Sequence, residues 1–117
     1  MRALCLVTSL VLFAASAAVA HAHATLQQAS PPVGSKGSAP REVRLSFSQK
    51  LEPSFSAAQL RKVGGAAVAT GGVDPSNPTQ MVIPVRGLAP GKYSVHWKVL
   101  SVDTHHTEGT FGFEVTQ

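Results

Sequence analysis

Apolar and polar residues alternate with period two along three stretches of the chain. Val43, Leu45 and Phe47 alternate with Arg44 and Ser46; Tyr93, Val95, Trp97 and Val99 alternate with Ser94, His96 and Lys98; Phe111, Phe113 and Val115 alternate with Gly112 and Glu114. Side chains of a strand point to opposite faces in turn, so each stretch predicts a strand with one face in a core. Weaker patterns predict strands over residues 25–29, 57–63, 66–70 and 81–85, and no stretch keeps a helical period over a useful length. Turn residues punctuate these runs: Pro31, Pro32 and Gly34, then Gly64-Gly65, Gly71-Gly72, Pro75 and Pro78, and Pro90-Gly91. Seven short antiparallel strands predict an all-β fold, either a sandwich or a Greek-key β-barrel.

The run Leu88-Ala89-Pro90-Gly91-Lys92-Tyr93 is similar to the tyrosine corner of immunoglobulin-like sandwiches, in which the hydroxyl bonds back to backbone a few residues upstream. Before the first strand lies a different pattern. Arg2 is followed by an apolar, alanine-rich run over residues 3–20 that ends in small residues, the form of a secretory signal peptide. Cleavage after Ala20 would leave His21 first, and cleavage after Ala22 would leave His23 first. The expected organisation is a cleaved signal followed by a single exported domain. The only cysteine, Cys5, lies in the leader, so the exported domain has neither a disulfide nor a thiolate ligand. Without Arg2 the formal charge falls from +4 to +3, with no basic cluster in the sequence of the kind nucleic-acid binding needs. A monomer is expected.

The stretch Val-Asp-Thr-His-His-Thr-Glu-Gly over residues 102–109 concentrates the chemistry. Read as an extended segment, it turns Asp103 and His105 to one side and His106 to the other. A histidine at the exported terminus supplies two nitrogens, the free amine and the imidazole, which close a chelate ring on one metal. His105 adds a third nitrogen and Asp103 an oxygen. Such a nitrogen-rich set suits Cu(II), although zinc accepts the same donors. With no cysteine and one methionine, Met81, beyond the leader, a soft Cu(I) site is not expected.

These residues stand in the pattern of a known family. His23-Ala-Thr-Leu26 with Pro31 and Gly34, the run Val-Arg-Leu-Ser-Phe-Ser over residues 43–48, Gly-x-Tyr-x-Val-x-Trp over 91–97, Ser101-x-Asp103-x-His105, and Gly109-x-Phe111-x-Phe113 together resemble the CopC family of periplasmic copper-binding proteins. The resemblance implies a cupredoxin-like β-barrel and a single Cu(II) ion per chain. That ion would be held by the amine and imidazole of His23, the imidazole of His105 and the carboxylate of Asp103. It also implies a first residue of His23 rather than His21, hence a signal over residues 1–22 and one domain over residues 23–117 in the periplasm, and an inner-membrane CopD-type copper transporter as partner. Some members hold Cu(I) in a Met-rich loop with a His; residues 61–78 here have neither, so a Cu(II)-only member is expected. Gln49 stands where some members carry a Glu, and it cannot supply that charge.

Neighbouring residues read more plainly. His106 is expected to be solvated or to support the site from outside, and Glu108 to be a solvated turn carboxylate or to orient a ligand. His96 is expected on the outer face of its strand, Trp97 in the core, and Lys50, Arg61 and Lys62 on a solvated basic surface. The function expected is copper sequestration or delivery in homeostasis and resistance, with no catalysis. The rivals are an oxidative enzyme with a copper-loaded histidine brace and a metal-free immunoglobulin-like interaction module. A chain beginning at His21 could instead wrap Cu(II) with its amine, two amides and the His23 imidazole, using neither Asp103 nor His105.

Overall fold

The alternating stretches lie in one eight-stranded, mostly antiparallel sheet that curls into a half-barrel around its apolar face. A computed structural model describes residues 24–117, and the leader and His23 lie outside the described residues. The strands are β1 (Leu26–Ser30), β2 (Lys36–Gly37), β3 (Glu42–Phe47), β4 (Ala57–Lys62), β5 (Ala67–Asp74), β6 (Asn77–Pro84), β7 (Gly91–Leu100) and β8 (His106–Val115), with a 3₁₀ turn at Pro53–Phe55. Their order across the sheet is β1-β3-β6-β5-β4-β7-β8-β2. The block β3-β6-β5-β4 is a Greek key: three hairpin-connected strands, with β3 lying beside the last of them. The pairing of β2 with β8 is parallel; the others are antiparallel.

The expected all-β fold holds, and β2, only two residues long, is an added strand that no alternation signals. The core is the set that alternation nominates: Val43, Leu45, Phe47, Tyr93, Val95, Val99, Phe113 and Val115 are nearly inaccessible, joined by Leu60, Met81 and Ile83. Trp97 also turns inward, its ring meeting Phe47 edge-on at 5.1 Å between centroids. The Tyr93 hydroxyl donates to the Ala89 carbonyl at 2.6 Å, which closes the tyrosine corner.

Two turn signals are overridden. Gly71 and Gly72 lie inside β5, because a Cβ at Gly71 would stand 2.0 Å from the Val82 carbonyl oxygen; glycine here permits close strand approach, not a turn. Pro78 lies inside β6, where its carbonyl accepts from the Leu51 amide at 2.9 Å. The turn between these strands belongs to Asp74, whose Oδ1 accepts from the Ser76 amide and hydroxyl while Oδ2 accepts from Arg44 at 3.1 Å.

The Ser76 bonds, assisted by Arg44, hold the Asp74 carboxyl below its ordinary value of 3.8. A depressed carboxylate contributes stability that is present above the unfolded value and lost as pH falls through the folded one. Acid titration of unfolding is therefore expected to show a loss of stability below about pH 4 that is smaller in Asp74→Asn than in the parent chain.

Candidate metal centre

Strand β7 ends at Leu100 and β8 begins at His106, and the chain between them makes a tight turn. The Ser101 amide donates to the His105 carbonyl at 3.0 Å, and the Thr104 amide donates to the Ser101 carbonyl at 2.9 Å. Thr104 takes a left-handed conformation, φ 73°, the position usually given to glycine when a three-residue loop closes a hairpin. The expectation of an extended segment is thus corrected. Asp103 and His105 do reach one another, with Oδ1 3.5 Å from Nδ1, but a reversal of the backbone brings them together and strand alternation does not.

Ser101 is the organiser of this turn. It is fully buried, bridged to Leu51, and its hydroxyl donates to Asp103 Oδ1 while its Oγ accepts from the His105 amide at 3.3 Å. The neighbouring loop is tied in through the Val102 amide, which donates to the Lys50 carbonyl. The Ser101 hydroxyl, aided by His105, holds the Asp103 carboxyl below the ordinary carboxylate value. Asp103 is therefore an anion at neutral pH, at a site where its side chain and that of His105 are 33% and 47% exposed and open to an incoming ion.

The left-handed Thr104 is strained, since its branched Cβ crowds the following carbonyl by about 1–2 kcal/mol. Thr104→Gly should relieve more than the added chain entropy opposes and raise unfolding stability by about 0.5–1 kcal/mol. A thermal melt a few degrees higher, with metal affinity unchanged, is the expected result.

The start of the domain packs against the same end of the barrel. Ala24, the first described residue, is fully buried, and its carbonyl accepts from Thr107 Oγ1 at 2.8 Å, two positions beyond His105. Thr25 is fixed from the other side by Ser48, through its amide at 2.9 Å and by the Ser48 amide donating to its carbonyl at 3.0 Å. Thr107 and Ser48 were given no part at this end of the barrel by the sequence, and Ser101 entered only as a motif position. Of these only Ser101, in Ser-x-Asp-x-His, carries a signal.

The remaining candidates lie elsewhere. His106 is exposed at the start of β8. Glu108 faces His96 across the outer sheet surface, 3.5 Å from its Nε2, while Nδ1 of that ring lies 3.0 Å from Thr110 Oγ1. Glu108 is thus engaged with His96 on the outer face, where His96 was expected. Gln49 is half-buried in the bend after β3. No group of three or more His, Cys, Asp or Glu able to hold a metal occurs among the described residues; Asp103 and His105 are a pair.

The CopC domain family matches residues 26–116. The chain is 37% identical to copper resistance protein C of Pseudomonas syringae pv. tomato, over 89% of this chain and 91% of that one. It is 38% identical to copper resistance protein C of Xanthomonas campestris pv. juglandis, over 92% and 93%. Among solved structures, CopC from Methylosinus trichosporium OB3b superposes with a TM-score of 0.74 at 30% identity, covering 80% of this chain and 93% of that one. PcoC, a methionine-rich copper resistance protein from Escherichia coli, superposes at 0.72 and 32% identity, covering 81% and 100%. By the match along nearly the whole described domain, in sequence and in fold, the chain belongs to the CopC family.

Proposed function

We propose that the protein is an exported Cu(II)-binding protein that sequesters copper, or delivers it to a membrane partner, in copper homeostasis and resistance, and that it is not an enzyme. The observation that carries this reading is the Asp103–His105 pair, 3.5 Å apart on a turn locked by the buried Ser101. The names of its relatives support copper resistance as the setting.

In this reading cleavage after Ala22 makes His23 the first residue, one peptide bond from Ala24. Its amine and imidazole chelate the ion, the His105 imidazole supplies a third nitrogen, and the Asp103 carboxylate supplies an adjacent oxygen. Burial of Ala24 and the bond from Thr107 support the required approach of the two chain ends. Three nitrogens with an anionic oxygen favour Cu(II), which stands highest among divalent ions in intrinsic affinity. Met81 is fully buried in the core, and residues 61–78 contain neither Met nor His, which supports a Cu(II)-only protein. Amine and imidazole nitrogens bind only when deprotonated, so affinity falls in acid while Asp103 stays ionised. Delivery would be to an inner-membrane CopD-type transporter.

Intact mass of the exported protein, followed by Cu(II) titration, tests the proposal. A chain beginning at His23 that takes up one equivalent agrees with it. A chain beginning at His21, binding copper equally well after His105→Ala, would replace it with the terminal four-nitrogen wrap. Sustained oxygen consumption by the copper-loaded protein with ascorbate and polysaccharide would turn the reading toward an enzyme.

A further inference from the structure

Strand β7 runs from Gly91 to the metal turn, about 30 Å of extended chain, and the far end of the half-barrel has a different character. Turns distant in sequence meet there. Arg41 precedes β3, Lys62 ends β4, Arg86 follows β6, and Lys92 is the second residue of β7. Pairing of Glu42 with Pro84, and of Lys62 with Tyr93, fixes these at one rim. Among the described residues none of these four cations has a carboxylate within ion-pair distance, although Lys92 stands opposite Glu114 in the β7–β8 register; that Glu114 is paired with Lys36, at the same end, at 3.5 Å. Arg41 and Arg86 flank a cleft of about 630 Å³, and Arg86 and Lys62 line the depression beside it. Three exposed valines accompany them: Val33, Val63 and Val68 are 62%, 60% and 51% accessible.

We propose that this basic, valine-bearing rim docks on an anionic phospholipid surface. Cations in excess of the carboxylates Glu42 and Glu114, on flexible stems with modest apolar side chains between them, match a headgroup layer, which requires charge of the right sign and no fixed shape. A protein partner would be met by aromatic or methionine anchors, and this rim exposes neither; the accessible Phe55 lies at the metal end. Among the described residues no helix is long and apolar enough to cross a membrane; the contact proposed is a peripheral one. Bound this way, the protein turns the Asp103–His105 turn away from the bilayer. The rim's cations are scattered along the chain, and only pairing of the strands gathers them.

Sedimentation of the exported protein with vesicles tests the proposal, comparing phosphatidylglycerol mixed with phosphatidylcholine against phosphatidylcholine alone. Binding to the anionic vesicles alone is expected, weakening as salt shortens the screening length below about 10 Å. Each rim cation near the surface is worth about 1 kcal/mol, about fivefold in partitioning. Arg41→Gln with Arg86→Gln should therefore weaken binding about 25-fold, and Lys62→Gln with Lys92→Gln similarly, with Cu(II) affinity unchanged as the measure of an intact fold. Equal binding to both vesicle types, failure to bind either, or anionic binding that both double variants retain would overturn it. Retention on immobilised polyglutamate without vesicle binding would overturn it in favour of an acidic polypeptide partner.

Discussion

His105→Ala is expected to lower Cu(II) affinity by more than about 100-fold, beyond the 10- to 100-fold that follows loss of a group that merely orients a ligand. Asp103→Ala is expected within that 10- to 100-fold range, because in the proposed site the carboxylate would both approach the ion and, with Oδ1 3.5 Å from Nδ1, orient the imidazole. His106→Ala, exposed at the start of β8, should leave affinity within about twofold, and Glu108→Gln likewise, since Glu108 faces His96. Isothermal titration against a competing chelator measures all four. Equal losses in His105→Ala and His106→Ala would show that the turn does not discriminate between the adjacent imidazoles. That outcome would remove the basis for assigning the site to this turn.

Gly109→Ala destabilises the fold by about 1–3 kcal/mol, the usual penalty for forcing extra volume into a packed core. Trp97 lies opposite Gly109 in the β7–β8 pairing, and its ring covers the bare Cα. A Cβ there would stand 2.6 Å from Trp97 Cζ2 and 2.9 Å from Cε2, so the ring has to move. It has little room, because Phe47 meets it edge-on on β3. Chemical denaturation followed by Trp97 fluorescence reports both the loss and the altered ring environment. An unchanged midpoint would mean that the ring is free to shift and that Gly109 is not a packing requirement.

Most of the core was legible in the sequence, and the reason is physical. Val43, Leu45, Phe47, Tyr93, Val95, Val99, Phe113 and Val115 fill one face because a half-buried strand has to alternate. The failures share a cause as well. Gly71, Gly72 and Pro78 are turn formers by local preference, yet each is placed in a strand by a partner distant in sequence, Val82 or Leu51. Such a contact leaves no local trace.

The site divides the same way. Asp103 and His105 stand out by composition, but their approach depends on the left-handed Thr104 and the buried Ser101, which periodicity cannot reveal. The hold of Thr107 on Ala24 spans 83 positions and has no sequence signature. Conversely, His96 was legible as outward-facing, although its engagement with Glu108 and Thr110 required the β7–β8 register.

The central claim is that a free amino terminus at His23 and the turn at the other end of the chain grip a single cupric ion together. Electron paramagnetic resonance of the exported protein at one equivalent of Cu(II), recorded for the parent chain and for His105→Ala, tests it most directly. The account predicts a tetragonal signal with splitting from three nitrogens in the parent and a changed signal with fewer nitrogens in the variant. Identical spectra from the two proteins, or a parent spectrum without nitrogen coordination, would contradict it.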